Sequence, residues 1–284
     1  MTGQPWPAPW VPVVGYHRIV AVKPEDDHWN ICTTRERFTS QMRWFARSGY
    51  RTLSLEQVAD FILRGERIPP RRFVITLDDG YQDTLTEAAP ILQHFEFTAT
   101  TFVVSGLVGE RNIWDEGKGN VAPLMTWDQV KQWMKLGFSV GSHTVSHPHL
   151  SQLPPEEARH ELIESRRTLE SVLGTQIRTF CYPYGDWSDV VHSLVPEAGY
   201  DVACDDVGRR QHGRYSLART DPRFWPAALT PLIRSRRWYF ELYRSGLFDA
   251  PRQTVHELRR LFASPLRHRG RTPTHETLAT PFKK

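Results

Sequence analysis

Two runs of residues in this 284-residue chain have the types and the spacing to do chemistry. In His143-Thr-Val-Ser-His147 the histidines stand four apart. In a turn or a first helical turn, that spacing directs both imidazoles to one point about a metal-ligand distance away. The second run is the adjacent carboxylate pair Asp78-Asp79 before Gly80. Two like charges this close repel, so both stay ionised only if one is neutralised, most simply by a cation. One aspartate then binds metal while its neighbour is free to act as a base. A carboxylate beside two imidazoles also makes a three-ligand set with positions left open for water and substrate. Each run has an ordinary explanation by itself: surface histidines in a loop, and helix N-capping at a turn made by Gly80. Their joint presence weakens both.

The elements that must position these residues are short apolar runs. His17 follows VPVVGY (11–16), Asp78 follows FVITL (73–77) and His143 follows FSVGS (138–142). Pro183-Tyr184-Gly185-Asp186-Trp187 follows IRTFCY (177–182), and Asp205-Asp206 follow YDVAC (200–204). Together with YRTLSL (50–55) and ATTFVV (99–104), these runs are β-branched and aromatic, too short for helices, and apolar on both faces, as buried parallel strands are. Helical spacing fills the intervals: Phe38, Met42 and Phe45 share one face, and Leu55, Val58 and Ile62 another. Ser54 with Gln57 and Thr126 with Gln129 are capping-box pairs, and Gly49, Gly137 and Gly199 each stand where a helix gives way to an aromatic residue and a strand. Repeated units of this kind make an α/β fold with a parallel sheet. About seven of them favour a closed or nearly closed barrel, and no G-x-G-x-x-G follows the first strand to support a dinucleotide-binding alternative. In such a barrel the site lies at the C-terminal strand ends, where the ionisable residues fall.

Composition sets the outer limits. At 39% hydrophobic, 12% aromatic and 24% charged residues, the chain can bury a sizeable core, and no window approaches the ~20 consecutive apolar residues of a membrane span. Cys32, Cys181 and Cys204 are too few and too scattered for a disulfide framework. The first residues, MTGQPWPAPW, have neither a basic nor an apolar signal region, from which a cytoplasmic location is expected. Residues 230–284 hold twelve Lys or Arg against four acidic side chains, so this stretch carries about +8 within a chain of net charge +4. That pattern suits peripheral contact with an anionic membrane or polymer. No basic motif with a nucleic-acid-binding fold appears, so no specific nucleic acid is expected. The expected division is an N-terminal extension (1–10), a barrel (11–225), and a basic, helical and partly disordered C-terminal extension (226–284).

The strand and turn TLDDGYQD, the HTVSH pair and YPYG, in this order and spacing, resemble the first three motifs of the polysaccharide deacetylases, carbohydrate esterase family four with its NodB-homology domain. The resemblance spans about residues 11–220. It implies a distorted (β/α)7-type barrel, a divalent metal (zinc first, with cobalt, nickel or manganese as alternatives), and removal of N-acetyl groups from N-acetylglucosamine polymers with release of acetate. Carried over by position, it implies Asp79, His143 and His147 as metal ligands, Asp78 as general base, and the Tyr184 backbone N–H at the oxyanion. This sequence departs from the family pattern twice. Cys181 stands where many members have an arginine that tethers the base, and Leu217-Ala218-Arg219 stands where many have a Leu-x-His that supplies the general acid. Both departures, with Tyr16-His17 and Phe180-Cys-Tyr-Pro-Tyr-Gly185, resemble the branch acting on poly-N-acetylglucosamine exopolysaccharides. His17 is then the candidate acid, against the alternative of a histidine that only anchors a strand end. Trp114, Trp127 and Trp187 are candidates to stack on sugar rings. The rival expectations are a cytosolic metal-dependent C–N hydrolase or O-acetyl esterase on a small substrate, and a catalytically dead carbohydrate-binding barrel.

Overall fold

A computed structural model describes residues 11–117, 121–207 and 213–220. The extensions expected at 1–10 and 226–284, with the basic tail, lie outside the described residues. In chain order the strands are β1 (Val13–Tyr16), β2 (Arg18–Val20), β3 (Cys32–Thr34), β4 (Arg51–Thr52), β5 (Arg72–Leu77), β6 (Thr100–Val103), β7 (Ser139–Ser142), β8 (Thr179–Cys181), β9 (Val202–Val207) and β10 (Leu217–Arg219). The α-helices are α1 (Arg35–Arg47), α2 (Leu55–Arg64), α3 (Ala89–His94), α4 (Trp127–Lys135), α5 (Pro155–Leu173) and α6 (Asp189–Glu197).

Strands pair in the order β1-β5-β6-β7-β8-β9-β10, every pair parallel. The path then returns to its start. Val14 bridges Thr220 in parallel, the Gly15 N–H donates to the Thr220 carbonyl (3.1 Å), and the Thr220 N–H donates to the Val13 carbonyl (2.7 Å). Seven parallel strands therefore form a nearly closed barrel with helices around it. The apolar run 50–55 departs from expectation. It yields only the two-residue β4, beside the start of β5 and off the ring. Ser54 is the reason: it leaves the strand to cap α2, where its side chain and that of Gln57 complete a capping box. The seventh ring strand is β10 instead.

Helix placement follows the sequence pattern. The buried residues of α1 are Phe38, Met42 and Phe45, and those of α2 include Leu55, Val58 and Ile62. Thr126 and Gln129 form the second capping box, at the start of α4. Gly49, Gly137 and Gly199 take φ values of +75°, +89° and +87°, the left-handed conformation that stops a helix. Phe45 stacks on Phe73 of β5 at 4.0 Å between ring centres, which fixes α1 to the barrel wall. Among the described residues, no helix is long and apolar enough to cross a membrane.

Gly141 shows how little room the packing leaves. A Cβ on it would lie 2.5 Å from both the Phe102 ring and the Thr179 hydroxyl. Gly141→Ala should therefore destabilise the fold by about 1–3 kcal/mol or more, read as a lower urea midpoint at unchanged slope.

Candidate active site

The chain leaves β5 through two successive left-handed residues, Asp79 (φ +71°) and Gly80 (φ +73°). That turn sends the adjacent carboxylates of Asp78 and Asp79 to different partners. The His143–His147 run is also tightly wound, with Thr144 at φ +70° and His147 at φ +62°. Such angles cost a non-glycine residue roughly 1–2 kcal/mol each, so surrounding contacts must hold them. Glu161 of α5 supplies several: its carboxylate accepts the Val145 and Ser146 N–H groups (2.7 and 3.0 Å) and the Ser146 hydroxyl (2.6 Å). Thr144 accepts the His147 N–H at 3.0 Å.

The two turns bring Asp79, His143 and His147 together, all buried. Asp79 Oδ1 lies 3.2 Å from His143 Nε2 and 3.3 Å from His147 Nε2. His143 Nδ1 is 2.7 Å from the Cys181 carbonyl, which only accepts, so Nδ1 carries a proton and Nε2 is the nitrogen that faces Asp79. Burial lowers the His147 pKa against the pull of Asp79 and keeps that ring neutral. Burial also opposes the charge on Asp79, yet the two imidazoles around it hold its carboxyl well below the usual range. Asp79 Oδ1 has no hydrogen-bond partner among the described residues. A carboxylate oxygen and two imidazole nitrogens gathered at one buried point fit a divalent cation. A second grouping, Asp78 with His143 and Cys181, is also within reach. Its aspartate and its histidine Nδ1 are committed elsewhere.

Asp78 is committed to Arg219 of β10. Arg219 Nη1 donates to Asp78 Oδ1 (2.7 Å) and to Thr76 Oγ1 (3.2 Å), and its Nε donates to the Asp205 carbonyl (2.7 Å). Burial would raise the Asp78 pKa, but Arg219 and then His17 keep it below the usual value. The other oxygen, Oδ2, is 3.6 Å from His17 Nε2. His17, 28% exposed, stands at the cavity mouth. A Cβ on Gly15 would meet the Arg219 guanidinium at 3.3 Å, so glycine there gives the arginine its space.

The cavity over these groups measures about 230 Å³. Tyr184 (φ +58°) forms one wall, its ring stacked on His149 (4.0 Å) and edge-on to His147 (4.6 Å). Burial, then the Asp115 and Asp79 charges, push its phenol up to about 12. Gly185 and Asp186 donate the hydrogen bonds of its turn, which leaves the Tyr184 N–H unspent within that turn. Trp29, Trp114 and Asp115 also line the cavity. Trp127 and Trp187 do not: Trp127 packs against the core, and Trp187 Nε1 donates to the Asp205 carboxylate at 2.7 Å. All six sequence-derived site residues thus surround one cavity. Arg219, Trp29 and Asp115 join them without having been singled out as site residues. Arg219 shows in the sequence only as a departure from Leu-x-His, and Trp29, in a turn, and Asp115, in a single 3-10 turn, carry no periodic signal.

Known proteins resemble this chain over most of its length. A family profile described as polysaccharide deacetylase matches residues 65–203. The Bacillus subtilis protein YxkH is 24% identical over 212 residues, covering 74% of this chain and 70% of its own. The poly-β-1,6-N-acetyl-D-glucosamine N-deacetylase of Escherichia coli is 26% identical over 231 residues, covering 70% of this chain, which spans 34% of that protein. Among solved structures, the Streptococcus pyogenes deacetylase PplD in complex with acetate superposes with a TM-score of 0.65 at 27% identity, over 74% of this chain and 91% of that one.

The site geometry predicts the outcome of metal titration. His143→Ala should lose high-affinity binding of one divalent ion, whereas Asp78→Asn should keep it. Isothermal titration with zinc after chelator treatment reads both. Loss of the ion in Asp78→Asn but not in Asp79→Asn would reverse the two assignments.

Proposed function

Because the chain belongs to the polysaccharide deacetylase family, we propose that it hydrolyses N-acetyl groups from an N-acetylglucosamine-containing polysaccharide or oligosaccharide, with release of acetate. The observation that carries this reading is the convergence of Asp79, His143 and His147 beside a separately held Asp78. Asp79, His143 and His147 would hold the divalent ion, zinc before cobalt, nickel or manganese. When bound, such an ion supplies Lewis acidity toward water and the acetyl carbonyl.

The chain's own residues do the rest. Arg219 occupies Asp78 Oδ1, which leaves Oδ2 to take the proton of the attacking water. The Tyr184 N–H is the donor for the negative oxygen that develops on the carbonyl, a term of ~3–4 kcal/mol for a well-placed donor. His17 at the mouth delivers a proton to the leaving amine. At about 230 Å³ the cavity is smaller than the ~300–1,000 Å³ that buries a whole drug-sized ligand, so a polymer would present one sugar at a time while its neighbours rest outside. Trp29, 54% exposed, and Tyr184, 42% exposed, offer apolar faces at that entrance. The name of the Escherichia coli relative points to a β-1,6-linked polymer as the first substrate to try.

Acetate release from β-1,6-linked and β-1,4-linked N-acetylglucosamine oligomers, compared with small amides and acetyl esters with and without chelator, tests the reading. Activity confined to the small compounds would replace it with a small-molecule hydrolase. His17→Asn should fold and hold metal yet lose ~10²–10⁴ in turnover on an N-acetyl substrate, and much less on an aryl acetate with a better leaving group. Equal losses on both substrates would leave His17 a strand anchor.

A further inference from the structure

A second set of contacts stands behind the ligand set, contributed by the turn Asn112–Asp115. Asn112 is fully buried and its amide is used on both sides. Nδ2 donates to Tyr81 Oη (3.1 Å) and to Asp115 Oδ2 (2.8 Å), and Oδ1 accepts the Ala122 N–H (2.6 Å). Tyr81 stands two residues from Asp79, and after burial the Asp79 charge helps to raise its phenol pKa. Asp79 Oδ1 faces the two imidazoles at 3.2 and 3.3 Å. Two residues beyond Asn112, the Trp114 ring lies on the His147 imidazole, 4.1 Å away and tilted by 19°. The backbone clamps the same region. Met125 N–H donates to the Gly80 carbonyl (2.8 Å), Gln82 N–H donates to the Pro123 carbonyl (3.0 Å), and Tyr81 bridges Leu124.

We infer that the Asn112–Asp115 turn, acting through Tyr81 and Trp114, orients Asp79 and His147 and so sets the affinity of the site for a divalent ion. This rests on the reading of Asp79, His143 and His147 as ligands. A turn with a purely structural role would close its hydrogen bonds on itself. Here one chain of bonds ends on the tyrosine two residues from a ligand carboxylate, and one ring contact ends on a ligand imidazole. Outer contacts of this kind fix ring and carboxylate orientation, and their loss typically costs ~10–100-fold in metal affinity. Tyr81, Asn112 and Trp114 are positioning residues.

Zinc affinity, measured by competition with a chromophoric chelator, and the urea midpoint of the metal-free protein separate ligand positioning from fold support. Tyr81→Phe removes one oxygen and keeps the buried ring, and it should weaken zinc binding by about 10-fold or more with little change in the metal-free midpoint. Trp114→Ala should weaken binding similarly, and Trp114→Phe, which restores a ring over His147, should recover most of it. Wild-type zinc affinity in both Tyr81→Phe and Trp114→Ala would overturn the inference. So would affinity losses that only track the unfolded fraction of the metal-free protein. A wild-type protein that binds zinc no better than His143→Ala would instead remove the metal reading of the site, and this inference with it.

Discussion

A guanidinium buried inside a barrel has to be paired, and the pairing of Arg219 with Asp78 organises this protein. Both side chains are almost wholly inaccessible to water. Removing one partner of such a pair leaves an uncompensated buried charge, which costs ~3–5 kcal/mol. The arginine belongs to β10, where the ring closes onto β1, and its other donors go to Thr76 of β5 and to the Asp205 carbonyl of β9. One side chain therefore ties closure of the barrel to the orientation of the candidate base. Gly15 completes the arrangement from β1, because any side chain there would press on the guanidinium.

Backbone strain at the site has the same logic. Asp79, Thr144, His147 and Tyr184 all adopt left-handed conformations that L-residues avoid, and each lies at or beside the cavity. Conformations of this kind persist only where neighbours over-determine them. Glu161 gathers the Val145–Ser146 turn, the Pro123–Met125 backbone gathers the Gly80–Gln82 turn, and the Tyr182–Asp186 turn closes on its own carbonyls. The barrel provides the floor, and the segments between strands and helices hold Asp79, His143 and His147 toward one point.

How far the sequence exposes this depends on the range of the interaction. Strand runs, helix faces, capping boxes and helix-ending glycines are local patterns, and β5, α1, α2 and the stops at Gly49, Gly137 and Gly199 were legible from them. The residues that gather at the cavity are legible too, since Asp78-Asp79 and His143/His147 are compact runs at strand ends. Their supports were not. Arg219 reaches Asp78 across 141 residues, and Asn112 reaches Tyr81 across 31, with no periodicity to connect them. The run 50–55 overlaps the capping box that the sequence shows at Ser54 and Gln57, and the cap ends the strand after Thr52.

The aspartate pair shows what the longer-range view adds. From sequence, two adjacent carboxylates demanded that one be neutralised, and a cation beside Asp79 was sufficient for that. The fold gives the two separate surroundings. Asp78 has a permanent guanidinium on one oxygen, and the left-handed turn at Asp79 aims the second carboxylate at the imidazoles of His143 and His147 instead. A guanidinium remains charged at any pH the fold survives, whereas a bound metal can leave. Asp78 therefore keeps its counter-charge and its orientation whether or not an ion sits beside Asp79. The two carboxylates are adjacent in the chain and yet held by separate partners, which the proposed pairing of a base with a metal ligand requires.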